Sequence, residues 1–350
     1  MVQFHPTGLL AGAGTKMTGT VLEEGLRGAG GYLMNGDRRR FMFDYDADGE
    51  RATRDIVSRA IYEQMRQQRT SPHGGVYISM AHLGPDLVAD KFRGMVKRCA
   101  DSGFDLAGGL VEVVPTAHYL MGGVVVDTDT RTSLPGLYVA GEDAGGAHGS
   151  NRLGGNGVAN STVYGGIAGD VMGCDVQRGA RLHDPDSNVL DAEIARATVP
   201  LDKRPGNLTS LRNQLLDVMW DDVGVMRDAN GLQRGLRRID EIDVELSATG
   251  VAPDNLAFNL SWHDWLNLRS LVDMSKVIAS AALSRENSRG AHFREDFPET
   301  GAMDDSYFTV VTASDQTLSV TRAPVQFTIV TPGDTLLGVD EAETLVGAAR

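Results

Sequence analysis

The chain has 350 residues and a formal net charge of −14 at pH 7, with 41% hydrophobic and 23% charged residues. This composition is typical of a globular protein and excludes a largely disordered chain. The acidic balance argues against nucleic-acid binding, which depends on basic surfaces, and no run of about 18 apolar residues predicts a membrane-spanning helix.

Cysteine content and motif spacing exclude several kinds of site. The two cysteines, Cys99 and Cys174, are too few for a disulfide framework, a four-cysteine zinc site or a cysteine-ligated iron–sulfur cluster. The histidines and acids lack a spacing such as H-E-x-x-H, so we expect no metal. We find no P-loop, no G-x-S-x-G, and no G-x-G-x-x-G after an N-terminal strand.

Residues 1–118 alternate short apolar runs with helical patterns, which predicts an α+β segment. Thr53 is a suitable N-cap for a helix that continues to about residue 68, and residues 86–101 form a second helical pattern. The apolar stripe of the first helix consists of Ile56, Ala60, Ile61 and Met65. The short apolar runs lie at 32–34, 41–43 and 76–79.

The chain contains 42 glycines, and their densest cluster lies at 136–173. Interleaved apolar residues such as Leu137 and Val158 favour a packed ligand-binding loop there over a flexible linker. Buried strands are expected at 124–126 and 137–140, followed by a helix from Asn160.

The remainder of the chain changes character after residue 185. Amphipathic patterns predict a helical bundle over 186–300, and alternating residues then predict two strands. The predicted helices span 188–197, 207–220, 228–248 and 264–285, and the predicted strands span 307–312 and 325–330.

Several charged residues stand in glycine-rich or apolar surroundings. They are His5, Glu24, Arg54, Asp55, His118, Glu142 and Arg152. Together, the two imidazoles and two guanidinium groups predict a cationic pocket for a small carboxylate. An arginine flanked by carboxylates could also relay protons, although its pKa is ordinarily too high for acid–base work and nearby acids would have to reload it.

Each of these residues also has a structural interpretation. Glu24 and Arg27 are spaced as a solvated helical ion pair, Arg54 and Asp55 can be charges at a helix start, and a histidine beside proline is commonly hydrogen-bonded within the fold. Arg152 stands apart because two glycine-rich stretches flank it, and its forked guanidinium suits a carboxylate or phosphate.

Nine ordered motifs resemble those of the flavoprotein subunits of succinate dehydrogenase and fumarate reductase, with L-aspartate oxidase as a relative. The strings are QFHPTG (3–8), EGLRGAGGYL (24–33), RRFM (39–42, a strand), TRDIVSRAI (53–61), PTAHYLMGG (115–123), PGLYVAGE (135–142), HGSNRLGGN (148–156), MWDDVGVMRD (219–228) and SRENSRGAHFREDFP (284–298). The resemblance covers nearly all of the chain to about residue 300.

The resemblance implies an α+β multidomain fold. It assigns 1–118 to a capping domain that covers the substrate, and 119–185 to the C-terminal part of a Rossmann-like α/β domain that binds FAD. It assigns 186–302 to a helical domain and 303–350 to a small C-terminal domain.

The resemblance also implies roles for individual residues. Arg54 would exchange a proton with a substrate carbon while hydride moves between flavin N5 and the neighbouring carbon of a C4 dicarboxylate such as succinate or fumarate. The remaining implied roles are relay partners (Glu24, Asp55), substrate carboxylate binding (His5, His118, Arg152) and contact with FAD (Glu142, Asn156, Gly157, Val158).

Departures from the family pattern keep alternatives open. The family carries a G-x-G-x-x-G turn in an N-terminal segment that is not found here, so we expect this sequence to bind FAD poorly unless a further segment or chain completes the pocket. Glu23 stands where the family usually has a Thr or Ser that donates to a substrate carboxylate, and Thr20 is a candidate to replace that donor. A milder change is Gly157, which stands where Ser is common.

Two other functions therefore remain open, an L-aspartate oxidase or other carboxylate-oxidising flavoenzyme, and a non-catalytic fragment or split subunit. Glu23 favours the former modestly, because a carboxylate can pair with a substrate ammonium. The respiratory branch of the family would place the protein in the cytoplasm, peripherally at the inner face of the membrane, and would add an iron–sulfur subunit.

Overall fold

The computed structural model describes residues 1–12, 16–180, 184–252, 256–314 and 317–334. Within these ranges, none of the helices combines the length and the apolar character needed to cross a membrane.

An antiparallel four-stranded sheet organises the first third of the chain. Its strands are β1 (Val2–Leu9), β2 (Tyr32–Met34), β3 (Val76–Ser79) and β4 (Leu110–Leu120). They lie in the order β1-β4-β3-β2, so that β1 and β2, the two strands nearest the N-terminus, form the edges.

Four helices accompany this sheet. They are α1 (Gly25–Gly28), α2 (Arg54–Arg66), α3 (Pro85–Lys91) and α4 (Arg93–Ala100). The predicted helix from Thr53 is confirmed as α2, whose Ala60 and Ile61 are buried and whose Ile56 and Met65 pack against the same core. Because α2 packs on β1, the first turn of the helix lies beside the strand that carries His5.

Two details of this region differ from the sequence expectation. The predicted helix 86–101 is two helices that meet at Phe92, whose side chain is buried in the core. The apolar run 41–43, expected as a strand, forms a short 3-10 helix over Met42–Asp44, because Phe41 and Met42 both turn into the core and only Arg40 bridges to β2.

The next region holds one long helix, α5 (Asn156–Gln177). The strands expected at 124–126 and 137–140 are wrong: Val124 and Tyr138 form only isolated bridges, to Ala144 and Arg131. Val125 is 65% exposed, and among the described residues this apolar run has no neighbouring strand to extend it beyond the single bridge at Val124.

A helical bundle follows, as predicted. It comprises α6 (Ser187–Thr198), α7 (Leu208–Asp221), α8 (Ala229–Ala248) and α9 (Leu260–Ser284). The last three share one apolar core around Leu215, Ile239 and Leu268. Asn207, Asp228 and Asn259 cap the three N-termini with side-chain oxygens, as expected for these residue types.

A hairpin completes the described chain. Strand β5 (Tyr307–Ser314) pairs with β6 (Thr317–Pro324). The expectation at 307–312 is thus confirmed, whereas the one at 325–330 is wrong. The strand that pairs with β5 is 317–324, which is closer in sequence to β5 than the predicted 325–330. Antiparallel neighbours need only a short connection.

Candidate active site

Irregular pairing between β1 and β4 brings two histidines together. Opposite the Gln3–Phe4 step, β4 has an extra residue, His118, because Gln3 pairs with Tyr119 and Phe4 pairs with Ala117. Such a bulge re-aims side chains. The imidazoles of His5 and His118 consequently lie 5.3 Å apart between ring centroids, in an edge-to-face arrangement.

Arg54, the first residue of α2, is held by two side chains. Its Nη2 and Nε donate to Glu24 Oε2 at 2.7 and 3.2 Å. Its Nη1 donates to Gln3 Oε1 at 3.1 Å. Arg54 is only 9% exposed, so the guanidinium has a fixed direction, with a carboxylate on one edge and a neutral amide on the other.

Glu24 also bonds Arg27, which extends the ion pair into the core. Arg27 Nη2 donates to Glu24 Oε1 at 3.0 Å and its Nη1 donates to the carbonyl of Glu50 at 2.6 Å. Burial lowers the pKa of Arg27. Burial opposes ionisation of Glu24, but the hydrogen bonds and charges of Arg54 and Arg27 outweigh it and lower the pKa of that carboxyl.

Asp55 follows Arg54 in the chain but its carboxylate faces other groups. Oδ1 accepts hydrogen bonds from Thr53 Oγ1 at 2.5 Å and from Asn151 Nδ2 at 2.8 Å. Oδ2 accepts from Arg59 Nη1 at 3.1 Å.

Arg152 approaches from the glycine-rich loop before α5. Its guanidinium carbon lies 4.4 Å from the centroid of the Tyr119 ring, and its Nη1 donates to the carbonyl of Leu153. Its Nε is buried and has no hydrogen-bond partner among the described residues. A buried donor without a partner is costly, so this guanidinium retains hydrogen-bonding capacity for an anionic ligand.

The cationic surroundings keep both imidazoles neutral. Burial, followed by the charges of Arg54 and Arg27, lowers the pKa of His5 to about 2. Burial and the charges of Arg54 and Arg152 lower the pKa of His118 as well. At neutral pH the cluster therefore combines guanidinium cations with neutral imidazole donors, a set of groups suited to carboxylates.

The backbone of the loop approaches this cluster closely. A Cβ at Gly154 would lie 2.8 Å from Glu24 Oε2, so a side chain there would displace the carboxylate. Gly155 has a φ of 83° and forms the N-cap of α5 without a side-chain hydrogen bond. The N–H groups of Asn156 and Val158 donate to the carbonyls of Leu153 and Gly155, so what this helix start offers the cluster is the positive end of a long helix dipole.

The residues expected to contact FAD gather at this helix start. Glu142 and Val158 are exposed beside Asn156 and Gly157, and Glu142 Oε1 accepts a hydrogen bond from the N–H of Leu120 at 2.8 Å. Asn160 Nδ2 donates to the carbonyl of Gly141 and holds the 141–143 turn against α5. A glycine-lined surface at the positive end of a helix fits an electron-rich planar ring such as a flavin.

Glu23 and His148 lie outside the cluster's direct bonds. Glu23 is exposed, and no hydrogen bond or ion pair among the described residues joins its carboxylate to Arg54 or Arg152. His148 Nε2 contacts Tyr119 Oη at 3.3 Å and Asn160 Nδ2 at 3.1 Å, which makes it a packing residue of the loop.

Sequence reasoning missed three residues that the fold brings to the site, Arg27, Gln3 and Asn151. Gln3 had a detectable signal, since it lies two positions before His5 and strand residues two apart share a face. Arg27 was treated as a solvated partner of Glu24, although it is only 2% exposed. Nothing in the local sequence around Asn151 distinguishes it from a loop residue.

Comparison with known proteins identifies the family of the chain. Residues 1–158 match the family model described as an FAD binding domain, and residues 212–336 match the fumarate reductase flavoprotein C-terminal model. The FAD and the family expected from the sequence are thereby confirmed.

Individual relatives match over most of the chain. A fumarate reductase (CoM/CoB) subunit of Methanothermobacter marburgensis is 38% identical over 301 residues, covering 85% of this chain and 54% of that protein. L-aspartate oxidase 1 of Ralstonia nicotianae is 36% identical, covering 85% and 53%. The structure of Mycobacterium smegmatis Sdh1 in complex with UQ1 has a TM-score of 0.78 and 32% identity, covering 94% and 55%.

The chain thus spans about half the length of these relatives. The order of its motifs, the two family models and the shared fold agree with one another. This chain belongs to the FAD-dependent oxidoreductase family of fumarate reductase and succinate dehydrogenase flavoprotein subunits and L-aspartate oxidases.

Proposed function

We propose that this protein forms the substrate-binding part of an FAD-dependent oxidoreductase that interconverts a C4 dicarboxylate such as succinate and fumarate. The observation that carries the proposal is the hydrogen-bonded series Arg54–Glu24–Arg27. Arg54, at one end of this series, lies close enough to His5, His118 and Arg152 for its charge to lower the pKa of all three. A proton path and a carboxylate site then meet in one place.

The carboxylate site uses groups that remain available for a ligand. Arg152 has an unpartnered Nε, and its stacking on Tyr119 fixes the plane of the guanidinium. The neutral imidazoles of His5 and His118 add donors without adding charge. A dicarboxylate held at both ends by such groups is fixed in orientation, which is a large part of what catalysis of this kind requires.

In the proposed mechanism, Arg54 moves the proton. During alkene reduction, the guanidinium of Arg54 gives a proton to one substrate carbon. The ionised Glu24 then takes a proton from Arg27 and passes it to Arg54, and solvent water returns a proton to Arg27. The oxidation direction reverses each transfer. When bound, FAD supplies the hydride chemistry at the neighbouring carbon, with Glu142, Asn156, Gly157 and Val158 as the residues that would hold it.

We further propose that a separate polypeptide segment completes the FAD pocket. Val158, Val163 and Val176 on α5 are all more than half exposed. Apolar patches of this kind are typical of surfaces that another segment covers, and the relatives extend well beyond the matched length.

The visible absorption spectrum after incubation with FAD and gel filtration tests these proposals in order. Flavin that elutes with the chain would mean that the chain completes a usable pocket by itself. This result would overturn the proposal that a separate segment is needed. Flavin that is retained only with the co-expressed remainder of a relative supports it. Loss of flavin from both samples would leave the non-catalytic fragment as the better description.

Substrate addition to the flavin-loaded enzyme then tests the reaction. Bleaching by succinate, and reoxidation of chemically reduced flavin by fumarate, would support dicarboxylate interconversion. Absence of both responses in a loaded enzyme would overturn it.

The second candidate is an L-aspartate oxidase, favoured by the 36% identity to L-aspartate oxidase 1 of Ralstonia nicotianae. Bleaching by L-aspartate but not by succinate would identify it. The exposed position of Glu23 favours the dicarboxylate instead, because the extra carboxylate lies outside the cluster and neither repels a dianion nor pairs with an ammonium there. The iron–sulfur partner and the membrane-peripheral location stay predictions.

A further inference from the structure

We propose that Asp55 is a positioning residue that orients the guanidinium of Arg54 through the side-chain amides of Asn151 and Gln3. This inference rests on the proposed function, in which Arg54 moves the proton. It gives Asp55 a role different from the proton relay that the family resemblance implies.

A continuous series of hydrogen bonds connects the two residues. Asp55 Oδ1 accepts from Asn151 Nδ2 at 2.8 Å, Asn151 Oδ1 accepts from Gln3 Nε2 at 2.9 Å, and Gln3 Oε1 accepts from Arg54 Nη1 at 3.1 Å. The series returns to the residue beside its start, because Asp55 follows Arg54 in α2. We refer to these four residues as the amide chain.

The donors and acceptors of the amide chain permit only one direction. An ionised carboxylate only accepts hydrogen bonds, so Asn151 must turn its NH₂ toward Asp55 and its oxygen toward Gln3. Gln3 must then turn its NH₂ toward Asn151 and its oxygen toward Arg54. A guanidinium only donates, so the carboxylate at one end specifies the acceptor that Arg54 needs at the other.

Burial makes this direction costly to violate. Gln3 is fully buried, and its Nε2 also donates to the backbone carbonyl of Arg152 at 2.7 Å. A reversed Gln3 amide would place its oxygen against two acceptors and its NH₂ against a guanidinium, with no water to relieve either contact. The same amide thus fixes Arg54 and the loop that carries Arg152.

Asp55 is itself anchored from the other side. Arg59 Nη1 donates both to Asp55 Oδ2 at 3.1 Å and to the carbonyl of Gly290 at 3.0 Å, and Thr53 Oγ1 donates to Asp55 Oδ1. These contacts hold the carboxylate toward Asn151. Among the described residues, all the side-chain hydrogen bonds of this carboxylate go to groups other than the Arg54 guanidinium, so the amides are its route to that group.

Exchanging the carboxylate and the amide tests the proposal. Asp55→Asn removes the group that specifies direction, and Asn151→Asp places two carboxylates face to face. The double variant D55N/N151D restores the donors and acceptors within the amide chain with the same net charge, since the amide at position 55 donates to the carboxylate at 151, which accepts from Gln3. The amide oxygen at position 55 remains an acceptor for Arg59. The E63Q variant is the control, because it makes the same carboxylate-to-amide change on α2 at a residue that bonds Arg66 and Gln67 rather than the amide chain.

The flavin-loaded enzyme is assayed for kcat and KM with fumarate, and its thermal midpoint is measured without substrate. We expect each single variant to lower kcat on the order of tenfold or more with little change in KM, as misplacement of a reacting group does. We expect the double variant to recover most of the lost kcat and of the lost thermal midpoint. E63Q should stay within about twofold of the parent, as for substitutions with small energetic effect.

Two results would overturn the inference. A double variant that folds as stably as the parent but stays as slow as D55N would mean that the carboxylate must lie at position 55, as a proton relay requires. Thermal midpoints that change additively would mean that no amide chain couples the positions. The thermal measurement decides this even if fumarate is not turned over, a result that would overturn the proposed function alone.

Discussion

Two groups of buried arginines differ in how their donors are used. The C-terminal arginines are Arg227 and Arg294. Arg294 donates through Nη1 to the carbonyls of Ala282, Leu283 and Arg285 at the end of α9, and through Nε and Nη2 to Asp296. Its donors are consumed by the last turn of one helix and one carboxylate, so it acts as a C-terminal cap.

The arginines of the candidate site are Arg27, Arg54 and Arg152. Arg54 bonds only side chains, and Arg152 keeps a buried Nε without a partner. Burial of arginine is therefore no sign of function by itself. What distinguishes the candidate site is that the donors of Arg54 go to a carboxylate and an amide side chain rather than to backbone carbonyls.

The largest expected effect comes from removing Arg54. In the flavin-loaded enzyme, Arg54→Ala should lower kcat by about 10²–10⁴-fold, as loss of a general acid does, while the dissociation constant for a dicarboxylate changes little. Arg66→Ala is the matched control, because Arg66 lies on the same helix and pairs with Glu295 at the surface. Near-normal turnover by the Arg54 variant would remove this residue from the mechanism.

Removing Arg294 should give the opposite pattern. Arg294→Ala leaves three backbone carbonyls at the end of α9 without their donor, so the free energy of unfolding should fall by about 1–3 kcal/mol. Denaturant titration measures this, with the exposed Arg93→Ala as the control. A kcat loss in folded enzyme that matched the Arg54 variant would break the distinction between the two groups.

Removing Arg152 should mainly affect binding. Loss of hydrogen bonds from a charged donor to a carboxylate is worth about 1.5–3 kcal/mol, so Arg152→Ala should raise the dissociation constant of succinate by about 10–100-fold in calorimetry. Arg152→Lys should be intermediate, because it keeps the charge and loses the fork. An unchanged dissociation constant would exclude this residue from the carboxylate site.

The smallest expected effect concerns pH, and it sharpens the comparison because each group contains a buried neutral histidine. The pKa of His5 and that of His292 are both lowered to about 2, first by burial and then by the neighbouring arginines. The unfolded chain binds these protons near pH 6.5 and the folded chain does not, so stability is present above pH 6.5 and is lost as the pH falls below it.

Each histidine contributes a slope of up to about 1.4 kcal/mol per pH unit between pH 6.5 and 4. Denaturant titrations across this range measure the slope. His292→Gln should lower by one the number of protons that the unfolded chain binds in excess of the folded chain. The slope should fall accordingly, with or without ligand. A bound dicarboxylate should raise the pKa of His5, because it places negative charge beside the imidazole. It should therefore lower the contribution of His5 to the slope and leave that of His292 unchanged. A slope that did not respond to the ligand would separate His5 from the carboxylate site.

Local sequence determined much of this protein. The helices over 54–66, 208–221 and 229–248 follow from apolar periodicity and N-cap residues, which act within a few residues and need no distant partner. Ordered motifs identified the family, its FAD and the residues Arg54, Arg152 and His5 as candidates.

Tertiary structure decided what those residues contact. The apolar run at 124–126 lacks a neighbouring strand, and strand pairing is a property of two segments rather than one. Arg27 is a member of the site because the fold buries it. Asp55 faces Asn151, 96 positions away, and not its neighbour Arg54. Hydrogen bonds at such separations depend on the packing of β1, α2 and the loop before α5, which no local pattern encodes.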